Sequence, residues 1–156
     1  MFENVIVLRP VESSEYATLV PLLLEADEDE ARILSLLGDS AHTSYIVWHE
    51  HAVVGAVVMR WGEVDSEVEY IQIAPERRRQ GYGHAIMQRI VEEARRRGNV
   101  AVLVGTDNTS LQAISFYQQC GFRMDHVRLD FFAYIQPPMY VNGLMIRDML
   151  VLRYRL

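Results

Sequence analysis

The sequence predicts a mixed α/β fold, one sheet with helices on both of its faces. Three observations carry that expectation. β-rich runs alternate along the chain with segments whose apolar residues recur at helical spacing. One run, Val100–Val104, is continuously apolar, the pattern of a central strand buried on both sides. An Asn-Gly pair at Asn142–Gly143 is a hairpin signal that brings the final segment back antiparallel.

Val5–Leu8 reads as the first strand. Ser13 or Ser14 is placed to cap a helix whose apolar positions Tyr16, Leu19, Val20, Leu23 and Leu24 share a face, with Pro21 bending it. A short helix over Asp29–Leu37 stops at Gly38. Ser44–Trp48 and Ala52–Arg60 form a hairpin around His49–His51, and Glu67–Ala74 is a third strand, stopped by Pro75. Tyr82–Arg97 has the 3.6 period and ends at Gly98. Ser110–Cys120 is a helix closed by Gly121, and Arg123–Phe132 and Leu144–Leu152 are the last strands.

The length of 156 residues suits one domain, 1–156, with a single core. The apolar runs are too short to span a bilayer, so no membrane association is expected. The start lacks the charged and apolar stretches of a signal peptide, and the one cysteine, Cys120, excludes an internal disulfide. Both fit a cytoplasmic protein. A net charge of −6 argues against nucleic acid as a partner. His42 and His126 have no ligand-spaced partners, so no metal is expected.

The segment Ile71–Gly83 carries the strongest signal. A strand stopped by Pro75 turns through Arg77, Arg78 and Arg79 and enters a helix through Gly81 and Gly83. N–H groups at a helix start are unpaired and the dipole there favours anions. Glycines let a ligand approach the main chain, and arginines add charge-assisted donors, so the turn suits a diphosphate. An ordinary helix start with two glycines would read the same. A dinucleotide fingerprint would need a glycine where Ile86 stands, and no Gly-Lys-Ser/Thr triplet exists for a P-loop.

Arg78-Arg79-Gln80-Gly81-Tyr82-Gly83 resembles the Arg/Gln-x-x-Gly-x-Gly/Ala signature of the GNAT N-acetyltransferases. Asn108, Ala113, Phe116-Tyr117 and Gly121-Phe122 resemble that family's later Asn…Ala…Tyr…Gly-Phe pattern. The resemblance implies a central, mostly antiparallel sheet with a splayed strand pair. It also implies acetyl-CoA as co-substrate, with the backbone of Ile71 and Ile73 holding the pantetheine arm. Ile73 N–H would then donate to the thioester carbonyl as negative charge develops there. Arg78, Arg79, Gln80, Gly81, Tyr82, Gly83 and His84 would bind the pyrophosphate. Asn108 would touch the cofactor, and Tyr117 would protonate the departing thiolate.

The chemistry asks for the same groups. An amine attacks only when neutral, so a base helps, and an expelled thiolate is quenched by an acid such as a tyrosine. Tyr117 is the candidate acid, with Phe116 expected as its core-facing neighbour. Glu67 and Glu69 are the candidate bases. Strand alternation puts both on the face of Ile71 and Ile73, with Glu69 nearer the reaction. Solvent-facing or substrate-binding roles for either glutamate stay open. The Glu25–Glu30 acidic run reads as a solvated face that could also attract a cationic amine.

The tail Asp130-Phe131-Phe132…Asn142-Gly143…Arg147-Asp148-Met149 looks like that of a bacterial branch of the family, with Arg147 and Asp148 lining an acceptor cleft or pairing as scaffold. The expected activity is direct transfer of acetyl from acetyl-CoA to a primary amine of a small molecule or protein. A non-catalytic acyl-CoA-binding module is the alternative. Cys120 lies at the far end of its helix, which speaks against an acetyl-cysteine intermediate. The apolar C-terminal strands permit a homodimer.

Overall fold

The structure is a computed structural model that describes residues 5–25, 27 and 29–156. In order these residues form β1 (Val7–Pro10), α1 (Tyr16–Leu23), α2 (Glu30–Leu37), β2 (Thr43–His49), β3 (Ala52–Arg60), β4 (Asp65–Ile73) and α3 (Tyr82–Arg96). There follow β5 (Ala101–Asp107), α4 (Leu111–Gln119), β6 (Arg123–Arg128), β7 (Tyr140–Val141), β8 (Leu144–Met145) and β9 (Met149–Arg155). A seven-stranded sheet runs β1-β2-β3-β4-β5-β9-β6, with β7 and β8 forming a separate ribbon. Every pairing is antiparallel except β4 with β5.

Two cores result because helices cover both faces. Leu19, Val20 and Leu23 of α1 and Ile33 and Leu37 of α2 pack on Ile46, Ala56 and Val58. On the other face Tyr82, Ile86, Ile90 and Ala94 of α3 and Tyr117 of α4 pack on Val57, Met59, Val68, Val102 and Val104. Burying a Leu or Ile side chain is worth about 1.5–3 kcal/mol, so these stripes hold the helices against the sheet.

Several local expectations are corrected. Ser13 and Ser14 do not cap α1; with Glu15 they form a separate 3-10 turn, and no side-chain cap precedes Tyr16. The real cap is on α2, where Asp29 accepts from Arg32 N–H at 3.1 Å. The strand expected over Arg123–Phe132 stops at Arg128, because Asp130 takes a left-handed φ of 55° and turns the chain. Leu144–Leu152 is two strands. β8 pairs only with β7, around Asn142 and Gly143 at φ 51° and 79°, the geometry of a type I′ turn. β9 instead inserts between β5 and β6.

Candidate active site

The site begins where β4 and β5 part. Their parallel ladder covers only Asp65–Val68 against Ala101–Val104. Beyond it β4 stays on β3 as far as Ile73 opposite Gly55, while β5 follows β9 to Asp107. Ala74 N–H donates to Val54 O on β3 at 2.9 Å, so by strand alternation the backbone groups of Ile73 and Ile71 point the other way, into the gap. Consistently, Ile73 O accepts from Arg78 Nε at 3.3 Å. A strand edge with unpaired amides inside a sheet is a template for an extended ligand.

The basic turn stands at the open end of this gap. Pro75–Arg77 is a single 3-10 turn, Arg79 has φ 61°, and Gly81 has φ 85° as the residue before α3. Gly81 is needed for that left-handed conformation. The first α3 hydrogen bond runs from Ala85 N to Gly81 O, so the N–H groups of Tyr82, Gly83 and His84 have no acceptor in the helix's ladder. Arg78 leans on Glu25 at 3.4 Å, whereas Arg77 and Arg79 have no ion pair among the described residues. The turn offers free donors and positive charge together.

Individual residues of the turn play parts the sequence did not suggest. Gly83 lacks a Cβ because Phe116 fills its place; an added Cβ would stand 2.9 Å from Phe116 Cζ. Tyr82 is buried, and its hydroxyl meets His49 Nδ1 at 2.9 Å, tying α3 to the β2–β3 hairpin. His84 lies edge-on to Phe116 and 3.5 Å from Cys120 Sγ. Burial pushes that thiol up to about 11, which keeps it protonated and unreactive.

Glu67 and Glu69 do not share the face of Ile71 and Ile73. The β3–β4 register slips at Val58/Met59, where Met59 faces Val68 and Val58 faces Tyr70, leaving Glu69 as an extra residue. Val68 and Ile71 therefore pack on the α3 side, while Tyr70 packs on the α1 side. Both glutamates meet Arg60 on that second side. Glu67 is only 7% exposed and both its oxygens are taken, Oε2 by Arg60 at 2.5 Å and Oε1 by Arg128 at 3.1 Å. Glu69 Oε1 lies 3.2 Å from Arg60 Nε and 3.6 Å from His42 Nε2. Its Oε2 has no partner among the described residues.

Tyr117 is buried and Phe116 only half-buried, the reverse of expectation. The Tyr117 ring lies tilted against Phe116 and Phe122, and its hydroxyl has no hydrogen-bond partner among the described residues. Burial, with a smaller contribution from Cys120, pushes the phenol up to about 12. Asn108 is spent on the fold. Its Oδ1 accepts from the N–H of Arg147 (2.9 Å) and Asp148 (3.1 Å), and its Nδ2 donates to Met145 O at 3.1 Å. Arg147 pairs with Asp130 at 3.0 Å and Asp148 Oδ1 accepts from Asp130 N–H at 2.8 Å, so the tail residues act as scaffold. Of the acidic run, Ala26 and Glu28 lie outside the described residues. Asp27 accepts from Arg32 and from Tyr70 Oη at 2.9 Å.

A splayed parallel pair facing a basic helix start is one half of a family fingerprint; the sequence supplies the other. The Acetyltransferase (GNAT) family model matches residues 10–122. The chain belongs to the GNAT acetyltransferase family. Relatives of this GNAT chain include the uncharacterized N-acetyltransferase YvbK of Bacillus subtilis (strain 168), 28% identical over 107 residues, covering 67% of this chain and 69% of the relative. Among solved structures, a GNAT family acetyltransferase from Elizabethkingia anophelis with acetyl-CoA bound superposes with a TM-score of 0.84 at 26% identity, over 99% of this chain and 100% of that one. A Bacillus subtilis acetyltransferase in complex with CoA gives 0.82 at 27% identity, over 97% of each chain. For this GNAT chain, sequence reading missed Arg60, Arg128 and His42. A lone histidine or arginine outside a motif gives no signal until folding sets it beside a carboxylate.

Proposed function

We propose that the chain transfers the acetyl group of acetyl-CoA to a primary amine by direct attack in a ternary complex. The observation that carries this reading is the two-sided gap at Glu69. Ile71 and Ile73 offer backbone N–H groups beside the Arg78–His84 turn, while Glu69 and Tyr70 look out on the opposite face of the sheet. In this reading the cofactor enters along the gap with its pyrophosphate on the N–H groups of α3 and on Arg77–Arg79. Ile73 N–H stabilises the oxyanion as the amine attacks.

The acceptor approaches from the α1/α2 side, and Glu69 Oε2 takes its proton. Glu67, with both oxygens on arginines, holds Arg60 and Arg128 in place and is the poorer base. Tyr117 donates a hydrogen bond to the departing sulfur. Asn108 serves by fixing Met145–Asp148 beside the gap. The test is thiol release from acetyl-CoA with n-butylamine, phenethylamine, putrescine, lysine and an alanine-terminated peptide, alongside calorimetric binding of CoA. Turnover with at least one amine supports the transferase. Tight CoA binding without turnover across the panel would assign the chain to a binding module instead. CoA binding no tighter than that of ATP would remove the cofactor assignment.

A further inference from the structure

Acetyl transfer from a thioester to an alkylammonium releases one proton per turnover. The ammonium loses a proton before attack, the new amide nitrogen loses another as the C–N bond forms and the C–S bond breaks, and the thiolate regains only one. A base covered by cofactor and acceptor must therefore pass a proton to bulk water before it can act again.

We infer that His42 is the exit for this proton, carrying it from Glu69 to Asp39 and solvent, an inference that rests on the transferase reading above. His42 lies between α2 and β2, and its side chain is only 13% exposed. Its Nε2 is 3.6 Å from Glu69 Oε1, an ion-pair distance just beyond hydrogen-bond reach. Its Nδ1 is 3.3 Å from Asp39 Oδ2. That contact is close but not aligned as a hydrogen bond, and Nδ1 is otherwise buried without a partner among the described residues. Asp39 is 50% exposed, and its other oxygen is held by Ala41 N–H at 2.9 Å. The three groups run from a half-buried carboxylate, Glu69, through an imidazole to a solvated carboxylate, Asp39. An imidazole with a carboxylate at each nitrogen can take a proton on one side and lose it from the other.

The alternatives around the ring do not serve. Arg60, which shares Glu69 Oε1, carries only donors and cannot accept a proton. The hydroxyl of Tyr16, on the same pocket wall, is committed to Leu37 O at 2.6 Å. Ser44 Oγ, also on that wall, has no hydrogen-bond partner among the described residues and makes no bridge to Glu69. The step is balanced: the proton taken on Glu69 Oε2 is turned toward His42 by rotation of the carboxyl, Glu69 gives it to neutral His42 Nε2, and the Nδ1 proton leaves to Asp39 Oδ2. Ring rotation or exchange with water then restores the starting tautomer. His42 acts through Glu69 and is thus a positioning and relay residue rather than a catalytic one.

The test uses the full chain, the fastest amine of the panel above and saturating acetyl-CoA. His42→Gln keeps polarity and removes the relay. The expected result is a fall in kcat of about tenfold with the KM for acetyl-CoA unchanged, smaller than for a direct base because water still drains Glu69 slowly. Added imidazole should raise kcat of the variant in proportion to its concentration and leave the wild type unchanged. The acid limb of the wild-type pH profile should flatten in the variant. Asp39→Asn, on the surface, should slow turnover about threefold without altering the melt. Wild-type turnover with an unchanged rate and pH profile in His42→Gln, or a loss that imidazole does not restore, overturns the relay and leaves the transferase standing. No wild-type turnover with any amine overturns the transferase reading and the relay with it.

Discussion

Replacing Tyr117 by Phe removes one oxygen, and the structure fixes what that oxygen does for stability and for rate. The hydroxyl is held in a buried ring with no hydrogen-bond partner among the described residues, so folding gains nothing from it. A fully buried hydroxyl left unpaired costs about 0.5–2 kcal/mol. Tyr117 Oη keeps some solvent contact, so its cost lies at or below the low end, and a domain of this size shifts by roughly 2–4 °C per kcal/mol. Tyr117→Phe is therefore expected to keep its melting temperature or rise slightly.

The rate follows from the phenol's position near 12. An ordinary thiol titrates near about 8.5, so full proton transfer to the thiolate would be uphill by about 5 kcal/mol. Tyr117 is thus a hydrogen-bond donor to the developing charge more than a proton source. A hydrogen bond to a charged group is worth about 1.5–3 kcal/mol, which converts to a 10- to 150-fold fall in kcat. Because burial raises the phenol above its usual value, it keeps its proton through pH 10, and kcat should show no falling basic limb from it below that pH. The assay is steady-state thiol release beside thermal melts of both proteins. Equal kcat would remove Tyr117 from the reaction, and a large drop in melting temperature would show that the hydroxyl has a partner after all.

Glu67→Gln leaves Arg60 with Glu69 alone and Arg128 without its carboxylate. These guanidiniums are 50% and 31% exposed, so denaturant unfolding should show a loss of about 1–2 kcal/mol, below the 3–5 of a fully buried pair. Gly83→Val drives a side chain into Phe116 and should lower stability by about 2 kcal/mol in thermal melts. Adding Phe116→Ala should recover part of that loss, because the two positions share one space. Asn108→Ala deletes three hydrogen bonds to Met145, Arg147 and Asp148 at roughly 1 kcal/mol each. Urea titration should show a loss of about 2–3 kcal/mol, with limited proteolysis appearing in the Met139–Asp148 segment.

Much of this was legible in the letters. The helical period of Tyr82–Arg97 and the β-rich runs of β2 and β3 report local burial and form the elements expected. So does the apolar run from Ala101 to Val104, whereas Val100 before it is exposed and precedes β5. The basic turn was legible because backbone chemistry fixes its residue types: a left-handed position asks for Gly81, and Pro75 ends a strand. The glutamate pair was misread because period-two alternation assumes an unbroken ladder. A single inserted residue at Glu69 reverses the face of everything before it, and no residue type announces such a bulge. Asn108 carries the right letter for a cofactor contact, yet the chain that returns beside it takes up both ends of its amide.

The sequence by itself determined the class of fold, the phosphate-suited turn and the family, because these depend on local patterns and on motifs whose spacing survives in one dimension. Only the tertiary structure decided that β9 inserts between β5 and β6. The same holds for the placement of Ile71 and Glu69 on opposite faces and for His42 standing behind Glu69. These are contacts between residues distant in the chain, set by how strands choose neighbours and register, and no local preference encodes them.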